Sequence, residues 1–446
     1  MSPPVDSPKD THPMPLRIRL AALPVALLAA LPAVAQPLRV DYVLGASVLH
    51  TDNINLSDDV PESETVVSPE ISFTAHQASS STTFRARGRL QYLDYLEGSY
   101  GNESRSEFAG QFTWMALPQR LAFVVEDYLG RQPIDFTAGY SPGNQQQVNV
   151  LTAGPTLFTR FGSTMRGQVD LRYSDTHAEE TREFNGNRQL AAGRLFRDLG
   201  PDQWISLNVD ASRVRFDIDA GNSDYERYDA YVRYRRESAR FNLDASAGHT
   251  RLEQDGGAGS ASSPLALVHF DWLATPRSVI SADATYRFAD TASELVANSI
   301  RLDELVIGEL SVPNGLVGPS VYRQRRYELG YRYAGERWDV QVRPYTGRVD
   351  YEEPQLVGWS IDGAYADVRF RIQPRLALTA AAMREDREFL DGSREDRDLV
   401  LRLALAYQFS NHLSGAIGWQ RLDRDSSVAG QDYRENAVTA SISWRR

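Results

Sequence analysis

The sequence has no cysteine among its 446 residues and only one lysine, Lys9. Without cysteine the chain can form no disulfide, carry no lipid on a cysteine at a processing site and build no thiolate metal site. No run of eighteen apolar residues occurs after residue 38. Such a run is needed for a helix to cross a bilayer, so we expect no transmembrane helix in this part of the chain.

The chain has an excess of acidic side chains, with a formal net charge of -11. An acidic balance argues against nucleic acid as a partner. After Lys9 every basic residue is an arginine. Two explanations of this usage remain open, codon bias and the ability of arginine to bind carboxylates with two parallel hydrogen bonds.

Residues 1–35 have the pattern of a secretory signal peptide. Arg17 and Arg19 precede an apolar core, and the small residues Ala33 and Ala35 give a cleavage site before Gln36. Met14 is an alternative start. Cleavage removes three basic and two acidic residues, so the mature chain has 45 basic and 57 acidic side chains.

About twenty stretches between residue 38 and the C-terminus alternate apolar and polar side chains one for one. Phe84, Ala86, Gly88, Leu90 and Tyr92 alternate with polar residues in the clearest of them. A period of two predicts β-strands, and strands cross a bilayer only as a closed barrel. We therefore predict an all-β fold, a transmembrane antiparallel up-and-down β-barrel of about 20 strands, within 18 to 22.

The connections between the predicted strands alternate between tight turns and longer polar loops. Pro118, Gly162 and Gly335 lie in tight turns, whereas residues 51–63, 132–145 and 253–262 form longer loops. Barrels of the Gram-negative outer membrane have short periplasmic turns and long external loops. We therefore expect the barrel to lie in the outer membrane of a Gram-negative bacterium, with the N- and C-termini on the periplasmic side.

Residues 36–446 are predicted to form one barrel domain. No segment between Gln36 and the first strand is long enough for a globular plug, so we do not expect a plugged transporter. No helical repeat of about 34 residues occurs, so we do not expect an exporter with a helical-repeat scaffold.

The polar partners in the strands are charged residues of both signs and should face the lumen. Two interpretations remain open. In the first, these residues form a network of cross-strand ion pairs that stiffens the wall. In the second, the arginines form a row along the lumen that conducts or binds anionic solutes or acidic glycans. The candidate pore-lining residues are Arg85, Arg87, Arg89, Arg166, Asp170, Arg172, Arg227, Asp229, Arg233, Arg235, Arg326, Glu328 and Arg332.

The long loop 290–320 is too apolar for a free external loop. Its isoleucine, leucine and valine residues should cover some other surface. In one hypothesis, loop 290–320 folds into the lumen as a constriction and brings Glu294, Asp303, Glu304 and Glu309 near the wall arginines. The alternative packs it on the rim or on a neighbouring protomer.

The sequence gives little sign of enzyme chemistry, so we predict no enzyme, no catalytic residues and no cofactor. The histidines are scattered singly, without the spacing of a dyad or a metal cluster. Residues 217–226 resemble a calcium loop only weakly, because the third ligand followed by glycine and the distant glutamate are missing. We predict no metal site.

The first hairpins resemble a known family. The run from Ser47 to Leu56 contains Thr51-Asp52-Asn53, and an acidic loop then leads to Val67-Ser68-Pro69-Glu70-Ile71-Ser72. Together with the tyrosine-rich strand 89–95, this opening is similar to outer-membrane barrel proteins associated with PEP-CTERM/exosortase and exopolysaccharide systems, which are related to barrel porins. The resemblance implies a barrel that acts in polysaccharide export or assembly, and it carries no active-site residues.

The C-terminal residues predict how the barrel is assembled. The barrel assembly machinery recognises a last strand that ends in an aromatic residue. In this chain the corresponding residue is Trp444, which is followed by two arginines. The expected partners are outer-membrane lipid and lipopolysaccharide, the barrel assembly machinery, and polysaccharide export proteins or anionic glycans. Two functions stay open, a porin-like channel associated with exopolysaccharide export and a non-conducting structural or adhesive barrel.

Overall fold

The computed structural model describes residues 37–217, 224–255, 259–290, 320–353 and 355–446. These residues form twenty β-strands and two single turns of 3₁₀-helix, Pro142–Asn144 and Arg182–Phe184. No helix in this part of the chain is long and apolar enough to cross a membrane. The strands are β1 (Arg39–Thr51), β2 (Glu64–Ala78), β3 (Thr82–Tyr95), β4 (Glu103–Leu117), β5 (Leu121–Pro133), β6 (Gln145–Phe161), β7 (Met165–Ala178), β8 (Gly186–Gly200), β9 (Gln203–Phe216), β10 (Tyr225–Glu237), β11 (Phe241–Gln254), β12 (Gly259–Thr275), β13 (Ser278–Ala289), β14 (Tyr322–Ala334), β15 (Trp338–Tyr351), β16 (Trp359–Gln373), β17 (Leu376–Phe389), β18 (Glu395–Gln408), β19 (Leu413–Ser426) and β20 (Tyr433–Arg445).

Each strand pairs antiparallel with the next strand in the chain, and β1 pairs with β20. This last ladder runs from Val43 opposite Arg445 to Thr51 opposite Ala437, and it closes the sheet. Closure leaves no strand at the edge of the sheet, so the backbone donors and acceptors along the paired parts of the wall are satisfied within the sheet. The predicted all-β, antiparallel up-and-down barrel of about twenty strands is confirmed.

The alternation of side chains gives the wall two different faces. In β18, Leu403 and Leu405 point to the outer face and are 45% and 43% exposed. The alternate residues Arg402 and Ala404 face inwards, and Arg402 donates to the Gln420 side chain of β19 at 2.8 Å. The exposed outer face is therefore apolar and the inner face is largely polar.

Tight turns alternate with longer connections, as the sequence predicts. Backbone angles with positive φ close two of the tight turns, 58° at Gln119 and 69° at Gly162. One prediction is wrong: residues 253–262 form no long loop, since β11 ends at Gln254 and β12 already begins at Gly259. The glycine, alanine and serine residues at the start of β12 carry no apolar period, so the sequence pattern does not reveal that they are in a strand.

Two ladders open towards the end of the barrel that carries the long connections. Pairing of β4 with β5 stops at Phe108 opposite Leu129, and pairing of β12 with β13 stops at Ala266 opposite Tyr286. The ends of the hairpins β5–β6 and β13–β14 are thus free of one neighbour. Both hairpin ends reach side chains on distant strands.

Candidate functional site

Residues 134–144, here called the crossing loop, connect β5 to β6 and form a compact structure of their own. The Asn144 side chain accepts from the Asp135 backbone N–H at 2.8 Å and donates to the Asp135 and Gly139 carbonyls at 2.7 and 2.9 Å. The Asp135 carboxylate accepts from the Thr137 N–H and hydroxyl. These bonds satisfy the loop backbone locally, so the loop keeps one shape without a neighbouring strand.

The crossing loop reaches the opposite wall of the barrel. The Phe136 ring packs against Trp359, the first residue of β16, with ring centroids 6.5 Å apart. Strand β16 stands ten positions after β6 in the ring of twenty, so this contact spans the interior. Trp359 and its inner-face neighbours Val349 and Ile361 are at most 6% exposed, although they lie on the lumen side.

Three arginines of the opposite wall, here called the arginine clamp, bind the backbone of the crossing loop. Arg387 donates to the Phe136 carbonyl at 3.4 Å, and Arg394 and Arg424 donate to the Thr137 carbonyl at 2.5 and 2.9 Å. Arg387 belongs to β17, Arg394 directly precedes β18, and Arg424 belongs to β19. Carbonyl oxygens in the middle of a loop have no strand partner, and these guanidinium groups supply one.

Each clamp arginine also pairs with a carboxylate of its own wall. Arg387 is 2.7 Å from Glu385, Arg394 is 2.8 Å from Asp396, and Arg424 is 2.7 Å from Asp398. All six side chains are at most 14% exposed. The three pairs carry no net charge, which lowers the cost of holding the arginines in a buried place.

Other connections meet the crossing loop on its sides. A Cβ placed on Gly139 would lie 3.0 Å from both Leu56 of the connection 52–63 and Tyr433 of β20. A Cβ on Gly143 would lie 3.3 Å from the ring of Tyr100, in the connection 96–102. Partial burial raises the pKa of the Tyr100 phenol. The neighbours approach so closely that larger side chains at Gly139 or Gly143 would displace them.

The β5–β6 hairpin is not paired with β4 beyond Leu129, so its end can turn towards the lumen. Above the last paired residues, the Gln147 side chain of β6 donates to the Ser106 carbonyl of β4 at 3.2 Å. Ser106 has no backbone partner on β5, and the glutamine amide takes that place. A side-chain hydrogen bond therefore links β6 to β4 where the β4–β5 ladder has opened.

The predicted pore-lining residues lie on the inner face, and most of those described are in ion pairs. Arg89 is 2.6 Å from Glu70, and Arg233 pairs with Asp244 across the β10–β11 ladder. Asp170 accepts from both Arg172 and Arg194. Four more of the predicted arginines are in ion pairs: Arg166 with Asp198, Arg227 with Asp229, Arg235 with Glu237 and Arg326 with Glu328. The strand register places Arg85 and Arg87 on the same face as Arg89, and Arg332 on the same face as Glu328.

The predicted constriction residues Glu294, Asp303, Glu304 and Glu309 lie outside the described residues. The first residue of that loop, Asp290, is described and is 5% exposed. Its carboxylate accepts a hydrogen bond from Arg188 of β8 and lies 3.9 Å from Arg227 of β10. The end of β13 therefore contacts β10 and β8, which lie three and five strands away in the ring.

Trp444 lies on the outer face of β20. It stands opposite Leu44 of β1, and its ring centroid is 5.8 Å from that of Tyr42. The predicted assembly residue is therefore at the seam where the first and last strands close the barrel.

Sequence reasoning missed two features of the interior. The sequence predicts the crossing loop only as part of a long polar connection, although Phe136 and Tyr140 are unusually large side chains for one. On the inner face His269 lies between two carboxylates, with Nδ1 2.7 Å from Asp283 and Nε2 3.0 Å from Asp271. Asp271 shares the strand of His269 at i+2, a spacing that could have suggested contact, but Asp283 comes from the next strand.

Comparison with known proteins gives one family match. Residues 339–446, which form β15–β20 and include the arginine clamp, match the family model "Putative beta-barrel porin 2". No curated protein matches the chain.

Several solved structures are similar to the chain at low sequence identity. The ferric enterobactin receptor PfeA of Pseudomonas aeruginosa, in a mutant form, is 12% identical with a TM-score of 0.47, covering 92% of this chain and 81% of its own. The iron transporter FrpB of Neisseria meningitidis is 8% identical with a TM-score of 0.44, covering 91% and 81%. A loop-deletion form of the outer membrane protein OmpT of Vibrio cholerae is 11% identical with a TM-score of 0.36, covering 92% and 100%. The described residues form a closed antiparallel β-barrel of twenty strands.

Proposed function

We propose that the protein is a porin-like channel of the Gram-negative outer membrane whose conductance is limited by the crossing loop. The observation that carries this proposal is the anchoring of residues 134–144 to the opposite wall by Arg387, Arg394 and Arg424. A loop held across the interior reduces the free cross-section of a barrel that twenty strands would otherwise leave wide.

The apolar outer face supports a location in a membrane. In β18 the outward residues from Leu399 to Tyr407 are all large and apolar, and Phe409 follows. From Leu399 to Phe409 the strand rises about 33 Å. At a tilt near 40° this corresponds to about 25 Å along the barrel axis, the height of the lipid-facing band of such barrels. In this location residues 1–35 act as a cleaved signal peptide, the long connections lie outside and both termini are periplasmic.

The inner wall supports a preference for anions. Arg85, Arg87 and Arg89 occupy three successive inward positions of β3. Arg89 pairs with Glu70 of β2, and the carboxylate of Glu107 on β4 acts on Arg87. A row of guanidinium groups in a water-filled lumen raises the local concentration of anionic solutes.

We further propose that the anionic solute is an acidic exopolysaccharide or a fragment of it. Support comes from the resemblance of the first hairpins to barrels associated with PEP-CTERM/exosortase and exopolysaccharide systems, and from the arginines of the lumen, which can bind sugar carboxylates with two hydrogen bonds. Deleting the gene should lower the amount of secreted polysaccharide, and the wild-type gene should restore it. An unchanged amount of polysaccharide would refute this part alone.

Single-channel recording of the purified barrel in planar bilayers tests the channel itself. We expect stable conductance steps and a reversal potential in a salt gradient that indicates anion preference. Arg85→Gln combined with Arg87→Gln should reduce that preference. The matched control, Arg384→Gln with Arg397→Gln, changes two arginines of the outer face and should leave the preference unchanged.

A second function, a non-conducting barrel that anchors other proteins, is favoured by one observation. Connections 52–63 and 96–102 pack against the inner wall near the crossing loop, where Ile54, Leu93 and Tyr95 are at most 8% exposed. An interior filled in this way would conduct little. Absence of conductance steps in both the wild type and a variant without the crossing loop would favour this second function.

A further inference from the structure

Five of the nine tight turns end in an arginine at the same position. We call these residues the turn arginines: Arg120, Arg240, Arg277, Arg337 and Arg375. Each is the last residue before an odd-numbered strand, and four of them lie in consecutive turns from β10–β11 to β16–β17. The crossing loop and the arginine clamp are among the connections at the other end of the barrel, so the turn arginines take no part in the constriction.

The backbone holds all five turn arginines in the same way. The carbonyl oxygen of each accepts an N–H of the next strand, for example that of Phe158 on β6 for Arg120, at 2.7 to 2.8 Å. Ser81, Thr164 and Asp202 accept the same bond in other turns. A turn of this shape therefore does not need an arginine side chain, and the repeated arginine calls for another explanation.

The turn arginines lie on the lumen side of the rim. The residue that follows each of them, for example Leu121 or Leu376, faces outwards together with exposed apolar residues such as Leu157 and Tyr407. Because side chains alternate along a strand, the position before it belongs to the inward face. All five residues are exposed, so they surround the mouth of the lumen at this end.

Most of the turn arginines have no carboxylate partner. Arg120, Arg240, Arg337 and Arg375 form no ion pair with any residue that the structure describes. Arg277 lies 3.3 Å from Glu336, whose side chain is 86% exposed. Such an exposed pair contributes little. The N–H donors of these guanidinium groups are therefore available to a ligand.

The two ends of the barrel carry opposite charge. The nine tight turns contain five arginines against two carboxylates, Asp202 and Glu336. With three strand residues on either side of each turn, this end has eleven arginines and five carboxylates. The ten connections at the other end contain three arginines and 22 carboxylates. The end with the tight turns therefore attracts a polyanion, and the other end repels it.

Positive charge continues from the rim into the lumen. Arg160 of β6 stands directly opposite Arg166 of β7 on the inner face. Arg166 pairs with Asp198, whereas Arg160 forms no ion pair within the described part of the chain. Like charges directly opposite each other on neighbouring strands cost stability. Keeping Arg160 there suits a ligand that is negatively charged and passes the rim.

The spacing of the turn arginines favours a polymer over a small anion. Neighbouring turns at this end are two strands apart, which is about 10 Å. A small anion therefore contacts one turn arginine or at most two. A chain with a negative charge on each repeating unit contacts several turns at once, and every contact after the first is intramolecular, so weak single contacts give a useful affinity.

We propose that the turn arginines are the site at which the barrel captures an anionic polymer that carries carboxylates, such as a polysaccharide of uronic acids. Each guanidinium can bind a carboxylate with two parallel hydrogen bonds. The inference rests on the proposed channel, because it names the end at which the polymer enters. With the tight turns in the periplasm, as proposed above, the polymer enters from the periplasm and leaves past the acidic connections outside.

The test compares two polymers that differ in charge. The purified full-length barrel in a neutral detergent is titrated with polygalacturonate and with dextran of matched length. The wild type should bind polygalacturonate and show no binding of dextran. Substitution of all five turn arginines by glutamine should weaken the binding of polygalacturonate tenfold or more.

The control variant changes five outward-facing arginines near the other end to glutamine and removes the same charge: Arg213, Arg251, Arg384, Arg397 and Arg434. It should bind polygalacturonate within twofold of the wild type. Heat-modifiable migration in gels verifies that each barrel is folded.

Two smaller variants keep the test open if the fivefold variant fails to fold. Arg337→Gln with Arg375→Gln changes two consecutive turns and should weaken binding about threefold or more. Asp202→Asn with Glu336→Gln removes both carboxylates of the turns and should strengthen binding, a gain that a folding defect cannot produce.

Three results would overturn the proposal. The first is equal affinity of the wild type and the turn variants, and the second is an equal loss in the control variant, which would reduce the effect to net charge. The third is displacement of the polymer by phosphatidylglycerol micelles at equal charge concentration, which would assign the turn arginines to lipid headgroups. Binding in detergent requires no conductance, so this test can fail while the conductance steps of the proposed channel are observed, and the reverse.

Discussion

Arg424 and Asp398 form a two-bond ion pair on the inner wall, with Nε 2.7 Å from Oδ1 and Nη2 2.9 Å from Oδ2. The remaining nitrogen, Nη1, donates to the carbonyl of Thr137 in the crossing loop, 2.9 Å away. One guanidinium group thus connects β18 and β19 to a loop that starts on the other side of the barrel.

Combined substitution of Arg387, Arg394 and Arg424 by glutamine should raise the single-channel conductance about twofold or more. Glutamine keeps some polar character but cannot bind its carboxylate and the loop carbonyl with the same geometry, so the loop should leave the interior. Planar-bilayer recording measures the effect.

The matched control for this variant is Arg384→Gln with Arg397→Gln and Arg421→Gln, three arginines of the same strands that face outwards. It should conduct like the wild type. Equal conductance of the clamp variant and the wild type would contradict a constriction at the crossing loop.

Asp290→Asn should lower the free energy of unfolding by about 3 kcal/mol. The change leaves Arg188, whose side chain is 15% exposed, without its charged partner. Urea unfolding of the barrel in lipid vesicles, followed by tryptophan fluorescence, measures the difference. Asp41→Asn removes the exposed partner of Arg39 and should cost less than about 1 kcal/mol. Similar losses in both variants would show that the Asp290 contact does not hold the β13 end in place.

Gly154→Val should destabilise the barrel by about 2 kcal/mol, whereas Gly193→Val should change stability by less than about 0.5 kcal/mol. A Cβ on Gly154 would lie 1.9 Å from the Leu171 carbonyl oxygen, so the β6–β7 backbone must shift. Around a Cβ on Gly193 there is no atom within 4 Å. The same urea unfolding distinguishes the two, and equal stability would mean that the close β6–β7 approach is not required.

Trp444→Ala should lower the yield of assembled barrel in the membrane. Trp444 packs beside Tyr42 at the closing seam, and it is the aromatic residue nearest the C-terminus. Heat-modifiable migration of membrane fractions measures assembly. Trp444→Phe keeps an aromatic ring and should restore most of the yield, while normal assembly of the alanine variant would contradict the assignment.

Much of the fold could be predicted because a barrel wall is a local pattern repeated. The strand around Leu403 shows its two faces within a few residues, and the turn at Gly162 is recognisable from its own composition. The start of β12 escaped prediction because Gly259, Ser260 and Ala261 have side chains too small to show a period. Its strand character comes from pairing with β11, a partner contact that no local pattern records.

The candidate site could not be predicted in the same way. Phe136 and Trp359 are separated by more than two hundred residues, and their contact depends on closure of the ring and on a ladder that opens at Leu129. In the sequence, the arginines of β17–β19 differ only by their parity along each strand. Because side chains alternate along a strand, the sequence shows that Arg424 and Arg421 lie on opposite faces of the wall. It does not show which loop contacts the inward-facing Arg424.

The sequence by itself determined a closed antiparallel barrel of about twenty strands with an apolar and a charged face, since a period of two and the turn residues act over a few neighbours. Only the tertiary structure decided that residues 134–144 cross the interior and that Arg387, Arg394 and Arg424 hold them there. The physical reason is that these contacts join positions far apart in the chain. They form only after the wall has closed and brought the opposite strands within reach of one loop.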